Sequence, residues 1–340
     1  MALPVEKQIQ LAWRAISSCE SKEGWGTIPL YRRNNWLLVA GYSYSTNEHA
    51  IFLEIHHSQV LISNNSLPKA QGFRVQKLKD EDSKTGLALI RHFDGDLGLF
   101  TKIASDICNT IIQNETFNEN KLISLFMNRI NAWLSFMRKG FEILSPEAEV
   151  GLIGELETLS NLILANIPIT AVLNSWLGPL DGLKDFELGT GAIEIKSTLS
   201  SNGFIAKIGS LEQLDDSDKT PLFINGHRFS INSKGKTLWE RVNFLQKQLI
   251  HFPSELLRFN NLLLRAGYLE CNAEKYSRKF KTENSYFWLV DEKFPKLVPG
   301  NIAVNIRQVK YEIDLTSFID QSIDLKLVLQ KLGIVNSGIN

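Results

Sequence analysis

Hydrophobic positions near the start of the chain recur at helical spacing, with Ile9, Ala12, Trp13 and Ile16 on one face of a helix predicted over about residues 4–20. The pattern then shortens. The segments "NWLLVAGYS", "HAIFLEI", "QVLIS", "GFRVQKL" and "GLALIRHF" are rich in β-branched and aromatic residues and are separated by the turn signals "STNE", "HHS" and "NNSLP". They predict a small antiparallel sheet ending near residue 94. Helical periodicity returns over Leu97 to Ile112 and Asn120 to Arg138, with Gly140 placed as a C-terminal stop.

The stretch "SPEAEVGLIGELETLSNLILAN" opens a further helix. Ser145 is its N-cap, Pro146 its first position, acidic residues fill its first turns, and Val150, Ile153, Leu156, Leu159 and Ile163 form its apolar stripe. Then follow "KDFEL", a "GTG" turn, "AIEIKSTLS" and "GFIAKIG", which read as strand, turn, strand, strand. "SLEQL" begins a short helix and "PLFINGHRFSI" is a strand. Thr237 to Arg265 is helical with a break at Pro253, and "SYFWLVDEKFP" and "NIAVNIRQVKYEIDL" form a β-containing tail before a last helix over Ser317 to Leu332. No internal repeat or low-complexity segment interrupts the chain.

Composition narrows the class. With 340 residues, 44% of them hydrophobic, the chain can bury a large core as two domains or as one with additions. No apolar run is long and unbroken enough to span a bilayer, and the start "MALPVEKQIQ" has no signal-peptide pattern, so no membrane partner and a cytoplasmic location are expected. Cys19, Cys108 and Cys271 have no CxxC spacing, which argues against a disulfide framework or zinc site and for a buried thiol at each. Adjacent His56 and His57 face opposite sides of a strand and read as structural.

Lys+Arg and Asp+Glu balance at 37 each, but unevenly along the chain. Phe141 to Leu183 holds Glu142, Glu147, Glu149, Glu155, Glu157 and Asp181 without one Lys or Arg. Lys219 to Gln248 holds Lys219, Arg228, Lys234, Lys236, Arg241 and Lys247 against Glu240 alone, an expected nucleic-acid-binding stretch if it is more than a solvated face. Glu157 reads as solvent-exposed. For His227 with Arg228, phosphate contact and an ordinary polar strand both stand, and "EKYSRKFK" reads either as a backbone-contacting or as an exposed loop.

The densest chemistry lies in "DFELGTGAIEIKST". On a strand, Glu194 and Lys196 share one face while Ile193 and Ile195 share the other. The "LGTG" turn folds the preceding strand back so that Asp185 approaches Glu194. Two carboxylates brought together repel unless a cation joins them, and such oxygen ligands suit Mg²⁺, with Mn²⁺ as a substitute. A lysine beside them adds positive charge where a phosphoryl group would sit.

These residues resemble the PD-(D/E)XK nuclease superfamily, and in particular its bacterial and archaeal branch once classed as a domain of unknown function. The features that carry the resemblance are "EAEVGLIGELETL", the "WLG" at Trp176 to Gly178, "DFELGTGAIEIKST", "SLEQL" and the later "VKYEIDL". The resemblance implies an α/β (α+β) fold whose restriction-endonuclease-like core is a mixed central sheet flanked by helices. It implies an N-terminal helix and β-rich module over 1–94 for target or partner recognition, a helical connector over 95–140, the nuclease core over 141–235 and a C-terminal α/β extension over 236–340. Asp185, Glu194, the backbone carbonyl of Ile195 and Glu155 would hold the metal. Lys196 would orient or polarise the attacking water, and Gln213 would lie near the substrate phosphate. Lys184 stands where the pattern often has proline, and Asp181 after Pro179 is a weaker candidate for the first acid.

The function so implied is a metal-dependent endodeoxyribonuclease of the type II restriction endonuclease class, hydrolysing phosphodiester bonds of double-stranded DNA in restriction-modification or antiviral defence. A double-strand cut would call for a homodimer, and a companion methyltransferase or ATPase would fit. The other reading is a catalytically silent nuclease-fold DNA-binding or scaffold subunit. RNA is a further substrate class compatible with these residues.

Overall fold

The computed structural model describes residues 3–19, 23–33, 35–56, 67–79, 84–138, 140 and 143–334. The chain divides into two compact units, residues 1–138 and 139–340. Among the described residues no helix is long and apolar enough to cross a membrane.

Among its described residues the first unit has a five-stranded antiparallel sheet and three helices. The strands β1 (Trp25–Arg33), β2 (Trp36–Ser43), β3 (Glu48–His56), β4 (Phe73–Lys79) and β5 (Lys84–Arg91) lie in the order β1-β2-β3-β5-β4. Helix α1 (Val5–Ser17) buries the four residues of its predicted stripe, and its Trp13 indole donates to the Ala50 carbonyl at 3.0 Å. Helices α2 (Leu97–Gln113) and α3 (Glu119–Arg138) are tied by a two-pronged ion pair from Arg129 to Asp106, to which Trp133 also donates. Strand β1 is not among the strands that the hydrophobic pattern predicts. It holds Pro29 and bulges between Pro29 and Tyr31, which an edge strand tolerates and a periodicity search discards. The strand expected at "QVLIS" lies outside the described residues.

The second unit carries a mixed four-stranded sheet flanked by helices. Strands β6 (Phe186–Leu188), β7 (Gly191–Thr198), β9 (Leu222–Lys236) and β10 (Phe280–Leu289) lie in the order β10-β9-β7-β6, with β7 parallel to β9 and the other pairs antiparallel. One face is covered by α4 (Pro146–Leu164), α5 (Ile169–Ser175), α6 (Leu238–Gln248), α7 (Pro253–Arg265) and α8 (Leu325–Lys331), whose apolar side chains meet Ile193, Ile195 and Phe223. Strand β8 (Ile205–Ile208) is not a further strand of this sheet. It pairs with β11 (Tyr311–Asp314) in a two-stranded ribbon, and their apolar residues join Ala192, Leu222 and Ile224 on the opposite face. Strand β7 is therefore covered on both sides.

Caps account for several boundaries. Ser145 accepts the Ala148 N–H at the start of α4, and Thr237 and Glu240 form a reciprocal capping box on α6. Pro253 is the first residue of α7, where its missing N–H costs no helical bond. The expected last helix is two pieces, a 3₁₀ turn over Thr316–Gln321 and α8, because Ile323 between them donates its N–H to the Phe287 carbonyl of β10.

Other sequence expectations change. Only Cys108 is buried, whereas Cys19 and Cys271 are exposed. The "EKYSRKFK" stretch is not a loose basic loop: Tyr276 is buried and stacks on Tyr268, Arg278 pairs with Glu149 at 2.5 Å, and Phe280 opens β10.

Candidate active site

The β6–β7 hairpin turns on Gly189 and Thr190, with Gly189 at φ +62°, a glycine-first order suited to a type II′ turn. The glycines also admit neighbours. A Cβ on Gly189 would sit 1.9 Å from the Leu332 carbonyl oxygen, and one on Gly191 would sit 2.0 Å from the Pro221 carbonyl oxygen. Pairing of Phe186 with Ile193 sets Asp185 opposite Glu194. Strand β6 begins only at Phe186, so the Asp185 side chain takes over the ladder and its Oδ2 accepts the Ile195 N–H at 2.7 Å. Within an extended strand the N–H and C=O of one residue point toward the same neighbour. The Ile195 carbonyl therefore faces the Asp185 edge.

Glu194 is 2% exposed. Its Oε1 accepts from Lys196 Nζ at 2.9 Å, and the same ammonium donates to Gln213 Oε1 at 3.1 Å. Gln213 sits on the 3₁₀ turn Leu211–Leu214, and its Oε1 also accepts the Gly209 N–H at 2.8 Å. Lys196 is thus held between an acid on its own strand face and an amide from the adjoining turn.

Helix α4 brings Glu155 to the same place from the other side. Its Oε2 accepts from the Trp176 indole at 2.7 Å. Gly178 lies between the acids: a Cβ there would be 2.8 Å from Glu155 Oε2 and 3.0 Å from Asp185 Oδ1. The N–H groups of Leu177 and Gly178 both donate to the Asp185 carbonyl, which pins the "WLG" segment along the edge. The helix approaches the sheet closely because residue 154 has no side chain; a Cβ there would be 2.1 Å from Ser197 Oγ. One turn later, Thr158 Oγ1 lies 2.7 Å from Asn225 Oδ1 and 2.8 Å from His227 Nε2. A hydroxyl has one proton, so when Thr158 donates to Asn225, the His227 Nε2–H donates to Thr158.

The electrostatics are dominated by crowded carboxylates. The Asp185 carboxyl is pushed well above the usual carboxylate range by burial, then by the charges of Glu194 and Glu155; the Ile195 N–H and Lys196 only partly oppose this. Burial lowers the Lys184 ammonium, while Glu194, Asp215, Asp216 and Asp218 push it back up. Lys184 is 5% exposed and donates to the Glu212 carbonyl, tying the strand that follows to the turn bearing Gln213. In the sequence Lys184 stands out only as the residue where the pattern often has proline. A lysine directly before the first acid was the available signal.

Asp181 is exposed in a left-handed conformation at the end of the 3₁₀ turn Gly178–Leu180, and Asp185 makes the bond to β7. Glu157 is not a solvent-exposed acid; it is half-buried and paired with Arg241. Arg241 also donates to the Phe280 carbonyl and to Thr282, and Arg228 donates to the Gly203 carbonyl. His227, on β9, is fully buried against α4, which removes it as a phosphate contact, and burial lowers its pKa to about 3. Lys219 pairs with Glu187 at 3.0 Å. Lys234, Lys236 and Lys247 are exposed, and Lys234 and Lys236 line a cavity of about 340 Å³ together with Arg241, Phe244 and Lys281.

Among the described residues no group of three or more His, Cys, Asp or Glu side chains is arranged to hold a metal ion unaided. The oxygens offered in this neighbourhood are those of Asp185 and Glu155 on either side of Gly178, of Glu194 opposite Asp185 and of the Ile195 carbonyl, the type of donor that suits a hard divalent cation. The surplus negative charge that raises Asp185 is what such a cation would neutralise. In donor type and in charge these residues fit such an ion.

No curated protein and no solved structure matches the chain. A family model does match, over residues 9–316, and PD-(D/E)XK nucleases typically use divalent metals. With most of its length under that model, the chain belongs to the family described as "Putative PD-(D/E)XK family member, (DUF4420)".

Proposed function

We propose that this protein is a metal-dependent DNA endonuclease. The observation that carries the reading is the placement of Asp185, Glu194 and Glu155 about one hairpin edge, with a lysine held by Glu194 and Gln213. A divalent ion bound by these oxygens would supply a Lewis acid for phosphodiester hydrolysis. The chain's own groups do the rest. Lys196, fixed by two acceptors, presents an ammonium to the charge that grows on the phosphoryl oxygens, with little reorganisation required during reaction. Gln213 Oε1 is occupied by Lys196 and Gly209, so the amide's N–H₂ end is the part left to donate to a phosphate. Glu155 is oriented by the Trp176 indole, and Gly178 keeps space between it and Asp185.

Exposed Lys234, Lys236 and Lys247 would meet the backbone of double-stranded DNA, so binding should weaken steeply with added salt. One site cuts one strand, and a double-strand cut would require a symmetric pair of chains. Restriction or phage defence is the setting we propose, with a methyltransferase or ATPase as companion.

The test is cleavage of methylated and unmethylated plasmid and genomic DNA with Mg²⁺ or Mn²⁺, comparing wild type with Glu194→Ala and Lys196→Ala. Cutting by the wild type and a loss of about 10²-fold or more in both variants is expected. No cutting under any condition, with equal DNA binding by all three proteins, would instead favour a silent scaffold.

A further inference from the structure

The loop spanning residues 297–310 is closed at its base and open at its tip. The Tyr311 hydroxyl accepts the Leu297 N–H at 2.9 Å and donates to the Leu297 carbonyl at 3.3 Å, so one side chain joins the two ends. Asn301 Oδ1 accepts the Val298 N–H, and its Nδ2 donates to the Lys296 carbonyl. The Ile306 N–H bonds the Ala303 carbonyl at 2.9 Å, a β-turn with Val304 and Asn305 at its corners. Val304 is 98% exposed and Ile306 46% exposed. Beside them Asn305, Arg307, Gln308 and Lys310 are exposed as well. A single exposed aliphatic residue is ordinary. A braced turn with an apolar tip among amides and cations has the composition of wedges that enter nucleic-acid grooves.

Both ends of this loop are fastened to the segment that holds Lys196. Lys296 pairs with Asp216 at 2.6 Å, just beyond the turn bearing Gln213. Tyr311 is opposite Ile208 in the β8–β11 ladder. The next residue, Gly209, donates its N–H to Gln213 Oε1, the same oxygen that receives Lys196 Nζ. The Lys196 charge also acts on the Tyr311 phenol, lowering it against the larger upward effect of burial.

We propose that loop 297–310 engages double-stranded DNA beside the phosphate to be cut, with the Val304–Asn305 turn entering the minor groove and Arg307 and Lys310 on flanking phosphates. This rests on the nuclease reading above. A lone turn suits the minor groove, which is about 6 Å wide, whereas the major groove admits a helix or a two-stranded ribbon. The amides of Asn305 and Gln308 are matched to the base acceptors of that groove.

The test is anisotropy of a labelled duplex with Ca²⁺, and cleavage with Mg²⁺, for wild type, Val304→Asp, Arg307→Ala and Asn305→Ala. Val304→Asp and Arg307→Ala should each bind about tenfold more weakly, and Arg307→Ala should reduce the salt slope by about 1. All three variants should melt with the wild type, because the tip is exposed. Replacing guanine by inosine, which removes only the minor-groove amino group, should change wild-type affinity and leave Asn305→Ala less affected. A wild type that binds and cuts DNA while the loop variants match it would overturn the loop assignment alone. A wild type that binds no duplex would overturn the nuclease reading and the loop assignment together.

Discussion

Asp185 is surrounded by more negative than positive charge, and burial leaves little water to relieve it. Its folded-state pKa lies above that of an unfolded aspartate, so the native state holds the proton more tightly. Stability from this group is then complete at low pH and declines as pH rises through the raised value. Asp185→Asn keeps an acceptor for the Ile195 N–H and removes the charge. In EDTA at neutral pH the variant should be more stable by about 1 kcal/mol, a melting shift of about 2–4 °C for a unit of the size that holds Asp185. Mg²⁺ should raise the melting temperature of the wild type and not of the variant. A more stable wild type in EDTA would contradict this charge balance.

Gly178→Ala belongs to the same scale. Its Cβ would crowd Glu155 and Asp185, so calorimetric titration should show at least about tenfold weaker Mn²⁺ binding, with the melting temperature within about 2 °C of wild type. Period two and chain order were sufficient to set Glu194 beside Lys196 and Asp185 near both. They could not show Lys184, whose partner is a carbonyl 28 positions away, or the pairing of Arg241 with Glu157 across 84 positions.

At the scale of elements, the position of Glu155 depends on how α4 lies on β7 and β9. Gly154 allows the close approach, and Thr158 with His227 and Asn225 fixes it. Burial lowers His227 to about 3, below an ordinary histidine, so the unfolded chain binds the extra proton between those values. Stability is therefore lost as pH falls from about 6.5 toward 3, by about 2 kcal/mol between pH 7 and pH 5. Denaturant melts should show His227→Leu less stable than wild type at pH 7 yet losing less on acidification. Equal acid losses in the two proteins would remove His227 as the cause. The amphipathic helices α1 to α4, with their caps and stripes, were legible because local periodicity decides them. Strand β8 was legible as a strand and not as to its sheet, since its partner β11 lies about a hundred residues later.

For the molecule as a whole, the family match ends at residue 316, but the second unit does not. Val328, Leu329 and Leu332 are buried in the core beneath the hairpin, and the Leu332 carbonyl accepts the Thr190 N–H at 3.0 Å. Removing three such side chains from a core forfeits roughly 5–8 kcal/mol, comparable with the whole stability of a domain. A chain ended at residue 316 should accordingly be insoluble or fail to melt cooperatively. Leu332→Ala in the full chain should fold but lose about 2–5 kcal/mol in denaturant melts. A truncated chain that melts like the full one would refute this role for α8.

The same cap sets an order of events during synthesis. Residues 325–332 leave the ribosome more than a hundred positions after the hairpin that they close. At about 5–20 residues per second, the acidic hairpin waits on the order of ten seconds for its cover. The nascent chain therefore carries Asp185, Glu194 and Lys196 before it carries the segment that packs beneath their hairpin.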